Sequence, residues 1–353
     1  MNRTHTYWRL PLAALLLLHG AAAFATVDVC VATIADLQTA LIAADSAADD
    51  TIIRIVRGTY SPNNPVSLAS VSTHDLIIEG GYDAACVSTS ADSEATVLDG
   101  RQLHNADDGL RLVKFSGNLT LRYLTLQNFS TNNEVFRAEC HDGDMLVENN
   151  RFLHNTVSAA MTAPYYFDAV AGTHVGSMTI RNNLIVSTKV PDGIYAMTVF
   201  PTTSDSNVVA PTYFTNNTVV GTIGSGSAPG GGVYLFTAPT STPATLSNNI
   251  LWNNAGGDLT LLVPAMLDHN DVGVQTGPPN LAGSSGNVSV NPQFGGGGNY
   301  ALSAASPLLD QGDPSAAGGV GAFDVWGMPR VSVADTIDPG AFQHDRIFLA
   351  SFD

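Results

Sequence analysis

An Asn-Asn pair recurs in this chain inside one repeating apolar frame. Its first residue falls at 149, 182, 216 and 248, so the spacings are 33, 34 and 32. The copies read Val147-Glu148-Asn149-Asn150-Arg151-Phe152, Ile180-Arg181-Asn182-Asn183-Leu184-Ile185, Phe214-Thr215-Asn216-Asn217-Thr218-Val219 and Leu246-Ser247-Asn248-Asn249-Ile250-Leu251. An earlier copy, Leu121-Arg122-Tyr123-Leu124-Thr125-Leu126, keeps the apolar positions without the pair. Alternation of two runs up to the pair and then slips by one, as a strand–bend–strand unit requires. Such units at a fixed interval describe the coils of a solenoid, in which each coil buries its inward residues only by stacking on the next. Asn suits the bend because it tolerates left-handed backbone angles. Stacked amides can also hydrogen-bond along their column.

A three-strand coil needs roughly 22 residues. The longer spacing leaves about ten residues per coil for loops on one flank. The stretches 162–175, 191–211 and 224–243 are read as those loops, and function is expected on them. The expected fold class is therefore all-β, a solenoid of stacked parallel coils. A β-propeller would need about four strands in ~40 residues with its own motifs, and none is found.

Composition agrees. Asp outnumbers Glu by 26 to 5, and Gly (33) and Pro (18) are abundant, a turn-rich balance that disfavours helical bundles. The formal charge of −17 argues against a nucleic-acid partner. Residues 1–25 have the layout of a secretory signal: Arg3 and Arg9, an apolar run over Leu10 to Leu18, and Ala23-Phe24-Ala25 before the cleavage point. That run is far short of the ~20 residues of a membrane span. The chain divides into this signal, a cap helix and first strand over 26–60, β-helix over 61–345 and a tail over 346–353. A secreted or cell-surface monomer is expected. Of the three remaining cysteines, Cys30 and Cys86 lie on either side of the first strand-rich region and are paired as a disulfide, which leaves Cys140 buried and inert.

The Asn-Asn coils resemble the right-handed parallel β-helix repeats of the pectin-lyase-like superfamily, which implies a single right-handed parallel β-helix with a short N-terminal capping helix. Thr33-Ile34-Ala35-Asp36, with Leu37, Leu41 and Ala44 on one helical face, and then Gly58-Thr59-Tyr60, resemble the cap and first coil of such proteins. Gly80-Gly81-Tyr82 and Val97-Leu98-Asp99-Gly100 also match exported bacterial members. Asn291-Pro292-Gln293-Phe294, Ser306-Pro307-Leu308-Leu309-Asp310-Gln311-Gly312, Gly327-Met328-Pro329-Arg330 and Ile337-Asp338-Pro339-Gly340-Ala341-Phe342 resemble the end of bacterial surface β-helix proteins called choice-of-anchor Q. The tail from Asp345 to Asp353 is similar to short Ile-Phe…Phe-acidic endings on exported Gram-negative proteins. The resemblance implies a fold more than an activity, because the superfamily holds lyases, hydrolases, esterases and non-catalytic adhesins.

A lyase needs a calcium-held carboxylate beside a basic Arg or Lys, and a hydrolase needs converging carboxylates. The Asn-Thr-Asp, Asp-Asp, His-Gly and Arg-x-Lys set of polygalacturonases is absent as a set, and Asp107-Asp108 alone does not supply it. The position before the first Asn holds Arg122, Glu148, Arg181, Thr215 and Ser247, an outward column in which Arg122, Glu148 and Arg181 are read as the wall of a groove for acidic sugar and the catalytic candidates. His141 is a candidate acid or base, and Asp142 and Asp144 beside it are candidate ligands for calcium, the one cofactor considered. Tyr165, Tyr166, Lys189 and Tyr195 are candidate substrate contacts, with Asp192 near Lys189 and with Tyr234 and Trp252 as further outward aromatics. The expected function is polysaccharide binding along a lateral face. The alternatives are calcium-assisted lyase, glycoside hydrolase, or non-catalytic adhesin or structural surface protein.

Overall fold

In a computed structural model the chain is described over residues 26–103, 106–158, 163–171, 176–203, 211–224, 230–236, 242–332 and 335–344. The expected signal segment and the tail 346–353 lie outside the described residues. Among those described, parallel strands stack into three long sheets. The first has nine strands from Thr26–Val31 to Met266–Asp268, the second eight from Gly58–Tyr60 to Asp271–Val272, and the third eight from Val66–Ser70 to Gln275–Thr276. Successive coils visit them in turn, as in Met145–Glu148, Arg151–Leu153 and Tyr165–Ala171 before Met178–Arg181 opens the next coil. This is a parallel β-helix.

The register puts the four Asn-Asn sites in one file. Glu148 pairs with Arg181, Arg181 with Thr215, and Thr215 with Ser247. Inward residues of each level then stack on their equivalents, so Leu121, Val147, Ile180, Phe214 and Leu246 form one dry column of the core. At the N-terminal end, helix Ile34–Asp45 closes this column. Thr33 caps it by accepting the Asp36 amide at 3.1 Å, and Leu37, Ala40, Leu41 and Ala44 are buried against the first coil. A disulfide joins Cys30 to Cys86, and Cys140 is free and buried.

The two residues of each Asn pair have separate jobs. The first (Asn149, Asn182, Asn216, Asn248) has φ of 55–56°, and Tyr123 (61°), His269 (52°) and Gly286 (64°) hold the equivalent left-handed bend in other coils. The second turns inward and builds a ladder. The backbone N–H of Asn150 donates to Asn183 Oδ1 at 3.0 Å, that of Asn183 to Asn217 Oδ1 at 3.0 Å, and that of Asn217 to Asn249 Oδ1 at 2.9 Å. The ladder continues through Asn270 and Asn287.

Two expectations need correction. The stretches read as loops contain the third sheet, in Tyr165–Ala171, Met197–Thr203 and Val233–Leu235. Outward aromatics there (Tyr166, Phe200, Tyr234) erase the polar–apolar contrast by which a strand is recognised. The coils also end well before 345. Beyond Thr276, among the described residues, isolated bridges at Ser285 and Val288 continue the stack, followed by an antiparallel hairpin (Phe294–Gly296 with Asn299–Leu302) and an irregular segment.

Candidate functional site

That irregular C-terminal segment runs back along the coils and covers two of their faces. The outward Asn side chains hold it: Asn149 donates to the Phe323 carbonyl at 2.8 Å, Asn182 to Val320 at 2.8 Å, Asn216 to Asp338 at 3.2 Å and Asn248 to Asp313 at 2.9 Å. Apolar cover adds to these bonds. Leu184, Val186 and Val220, on the outer face of the second sheet, are buried by Val325, Ala341 and Phe342. Trp252 packs on the neighbouring cluster of Ile250, Leu302, Leu308 and Leu309.

The charged column lies at the edge of this cover. Glu79, Arg122, Glu148 and Arg181 stack as alternating charges, with Arg122 Nη2–Glu79 at 2.7 Å, Arg122 Nη1–Glu148 at 3.4 Å and Arg181 Nη2–Glu148 at 2.8 Å. Burial, the largest influence, works against the Arg122 charge, but Glu79, Tyr123 and Glu148 together outweigh it and raise its pKa. Glu148 is only 5 % exposed, and Arg181 donates on to the Gly318 carbonyl at 3.0 Å. The column is a hydrogen-bonded ion network whose Arg181 end is fastened to the C-terminal segment and whose Arg122 end stays partly exposed.

Tyr165 is no sugar platform. It points into the core, fully buried, with its hydroxyl 3.0 Å from both Asn155 Nδ2 and Thr188 Oγ1. His141 packs edge-on to Phe115, and burial lowers its pKa despite Glu139 and Asp142 nearby. Asp142 occupies a left-handed turn position (φ 52°) and Asp144 accepts from the Ser177 amide and hydroxyl, so this segment is a structured bend between sheets. Lys189 is exposed on a separate four-strand row of two-residue strands. Among the described residues, the grouping with three metal-type ligand atoms within 4.8 Å is instead Asp268, His269 and Asp313.

Among the described residues, the C-terminal segment does not cover the outer face of the third sheet, and a cleft lies on it. Tyr166, Thr198, Phe200 and Tyr234 reach it from three adjacent strands, and Ala163, Gly193, Ile194 and Tyr195 close its rim around 380 Å³. That volume falls at the small end of ligand sites, about 300–1,000 Å³. The aromatic rings are organised: Tyr195 stacks on Tyr234 at 5.0 Å between centroids, Phe200 on Phe236 at 4.2 Å, and Tyr166 tilts toward Phe200 at 6.3 Å. The alternation of the strands explains this. Tyr165, Phe167 and Ala169 point in, and Tyr166 and Asp168 point out.

Charged side chains adjoin Tyr166 outside the lining of the cleft. Arg137 lies over the Tyr166 ring at 4.6 Å and is held between Glu139 and Glu134, the latter at 3.2 Å. Burial disfavours its charge, but the Glu139 hydrogen bond and both carboxylates raise its pKa, so it is no base. Asp168 is paired in register with Glu139 on one side and Phe200 on the other. Its Oδ2 accepts from the Tyr166 hydroxyl at 3.4 Å, and that phenol's pKa is pushed up by burial and then by Asp168. The structure thus gathers Tyr166, Tyr195 and Tyr234 at one place and adds Phe200, with Arg137, Glu139 and Asp168 packed beside Tyr166; sequence reasoning missed these four. The signal was the in–out alternation of Phe136-Arg137-Ala138-Glu139 and Tyr165-Tyr166-Phe167-Asp168.

No family model matches the chain, and no curated protein matches it.

Proposed function

We propose that this β-helix protein is exported and binds polysaccharide through the aromatic cleft on its third sheet. The observation that carries the reading is the set of ordered rings of Tyr166, Tyr195, Phe200 and Tyr234 on the outer face that the C-terminal segment leaves open. Sugar rings present apolar C–H faces that pack on aromatic planes, with hydroxyls left for polar groups at the rim. A parallel stack also repeats its outer face at each coil, which suits a ligand that is itself a repeating chain. The parallel β-helix accords with a place among pectin-lyase-like, choice-of-anchor Q proteins. Export is supported by the signal-like pattern of residues 1–25 and by the Cys30–Cys86 disulfide, a bond that persists in oxidising compartments.

Binding is favoured over lyase chemistry because, among the described residues, the cation against the Tyr166 ring of the cleft is Arg137, which two carboxylates hold in its charged form, so it does not serve as a base. The test is a glycan array followed by affinity electrophoresis with the wild type, Tyr166→Ala and Tyr234→Ala. Each substitution is expected to weaken retention about tenfold, in line with loss of one aromatic contact. An array without signal, or variants that bind as well as the wild type, overturns the proposal.

A further inference from the structure

We propose that Asp268, His269 and Asp313 form a binding site for a divalent cation of the Zn2+ class, which ties the C-terminal segment to the end of the coil stack.

Two pieces of chain meet at this point. Asp268 ends the Met266–Asp268 strand at the edge of the first sheet, and His269 takes the left-handed bend that follows (φ 52°). Asp313 belongs to the C-terminal segment, where Asn248 fastens it. One ligand atom from each of the three lies within 4.8 Å of the other two, and His269 Nδ1 stands 3.1 Å from Asp268 Oδ1. A tetrahedral ion with bonds of about 2.0–2.2 Å holds its ligand atoms about 3.4 Å apart, so small side-chain rotations close the set.

The surroundings hold the donors in place. The Ser285 hydroxyl donates to Asp268 Oδ1 at 2.6 Å. Asn248 grips the Asp313 backbone twice, accepting its N–H at 2.8 Å and donating to its carbonyl at 2.9 Å. Gly286 packs so closely on the imidazole that a Cβ there would stand 2.5 Å from His269 Cδ2. Such outer contacts orient ligands before an ion arrives.

Two observations beyond the grouping itself point to a cation. The first is missing charge compensation. Asp268 continues the file of Arg122, Glu148, Arg181, Thr215 and Ser247, in which Arg122 and Arg181 bond Glu148. Among the described residues, no Arg or Lys pairs with Asp268 or Asp313. The second is His269 Nδ1, which is shut off from solvent and makes no hydrogen bond although the Asp268 carboxylate is beside it. A nitrogen lone pair and a carboxylate oxygen repel at that distance, and a cation bound by both turns the repulsion into attraction.

The fastening role follows from the register. Asn149, Asn182, Asn216 and Asn248 each donate a side-chain amide to a carbonyl of the C-terminal segment, and His269 holds the next position of that file, where no such amide is present. An ion shared by His269 and Asp313 supplies the link that asparagine supplies in the preceding coils. An imidazole ligand favours Zn2+ and its transition-metal neighbours over Ca2+ and Mg2+, which prefer oxygen shells. Three protein ligands leave a fourth position for water.

The experiment is equilibrium dialysis of the untagged, chelator-treated protein against Zn2+, with Ca2+ and Mg2+ in parallel, followed by thermal unfolding of the same samples. The wild type is expected to retain one equivalent of Zn2+, bound at least about tenfold more weakly by His269→Asn and by Asp313→Asn. His269→Asn installs the bend residue of the four preceding coils, and Asp313→Asn keeps the backbone that Asn248 grips, so both should unfold at the wild-type temperature in chelator. With free Zn2+ about 100-fold above its Kd, the wild-type Tm should rise by roughly 3–5 °C and that of the variants by less than about 1 °C. Where a variant unfolds early in chelator, acylation of His269 in the wild type, mapped by mass spectrometry, locates the ion, and Zn2+ should protect that ring. No retained Zn2+, an equivalent that both variants keep, an unprotected His269, or Ca2+ bound more tightly than Zn2+ overturns the proposal. Zn2+ binding without a rise in Tm overturns it too, since the ion then ties nothing.

Discussion

Asn182 and Asn183 are adjacent in the chain and face opposite ways. The Asn182 amide reaches out to the Val320 carbonyl at 2.8 Å, and the Asn183 amide turns in, taking the Asn150 N–H on its oxygen at 3.0 Å and giving its own N–H to Val147 at 2.9 Å. One residue fastens the C-terminal segment and the other fastens neighbouring coils. Their substitutions should therefore separate. Asn183→Ala takes the acceptor from the buried Asn150 backbone N–H and the donor from the Val147 carbonyl, while Asn150 Nδ2 keeps the Leu121 and Glu148 carbonyls, and is expected to cost about 3 kcal/mol. Asn182→Gly keeps the left-handed bend and loses only the outward bonds, for about 1 kcal/mol. Urea denaturation of the two variants measures both, and equal losses would contradict the division of labour.

Arg181 and Glu148 give a second prediction. Glu148 is buried and bonded from both sides, by Arg122 and Arg181. Arg181→Ala removes one of those cations and a bond to Gly318, and is expected to destabilise the fold by about 2–3 kcal/mol. It should leave glycan retention unchanged at a temperature where the variant is folded. Loss of binding without loss of stability would return the column to the role of a ligand-binding wall.

These contrasts show which physics the sequence carries. The bend-forming Asn at 149, 182, 216 and 248 recurs at a near-constant interval, and constant interval plus matching apolar neighbours is enough to specify stacked coils. The ladder's continuation at Asn270 and Asn287 escapes the same reading because the coils shorten, to 21 and then 17 residues between ladder amides. The Arg122–Glu148–Arg181 column is legible as a column, since register follows from the repeat. Its cover is not: Gly318 lies 137 residues from Arg181, and an irregular segment has no period to place it. The cleft is hidden for a third reason. Its residues come from strands whose outward side is aromatic, so Tyr165 and Tyr166 look alike in sequence, yet one fills the core and the other lines the site.

The cysteines offer a prediction about the cap. The Cys30–Cys86 bond spans 56 residues, a loop whose closure in the unfolded chain corresponds to roughly 3–4 kcal/mol. Reduction under native conditions should lower stability by about that amount, starting at the N-terminal coils. Burial pushes the Cys140 thiol to about 12, so it should stay silent to thiol reagents in the folded oxidised protein and react only on unfolding. Reagent titration with and without denaturant checks this, and rapid labelling of the native protein would contradict it.

Asp271 makes the end of the stack sensitive to pH. Its side chain is fully buried in the last coil of the second sheet; Oδ1 accepts the Val290 amide at 2.9 Å, and Oδ2 has no partner. Burial, with a smaller contribution from Asp258, raises its pKa to about 6 against the bonding to Val290, from an ordinary 3.8. The folded state then holds this proton more tightly than the unfolded one. The associated stability is fully present below pH 3.8 and is lost as pH rises through about 6. Asp271→Asn abolishes that titration whatever its own packing cost. The stability difference between variant and wild type should consequently move in the variant's favour by about 2 kcal/mol between pH 4 and pH 7. Denaturation curves of both proteins across that range measure it, and a constant difference would show that Asp271 does not titrate there.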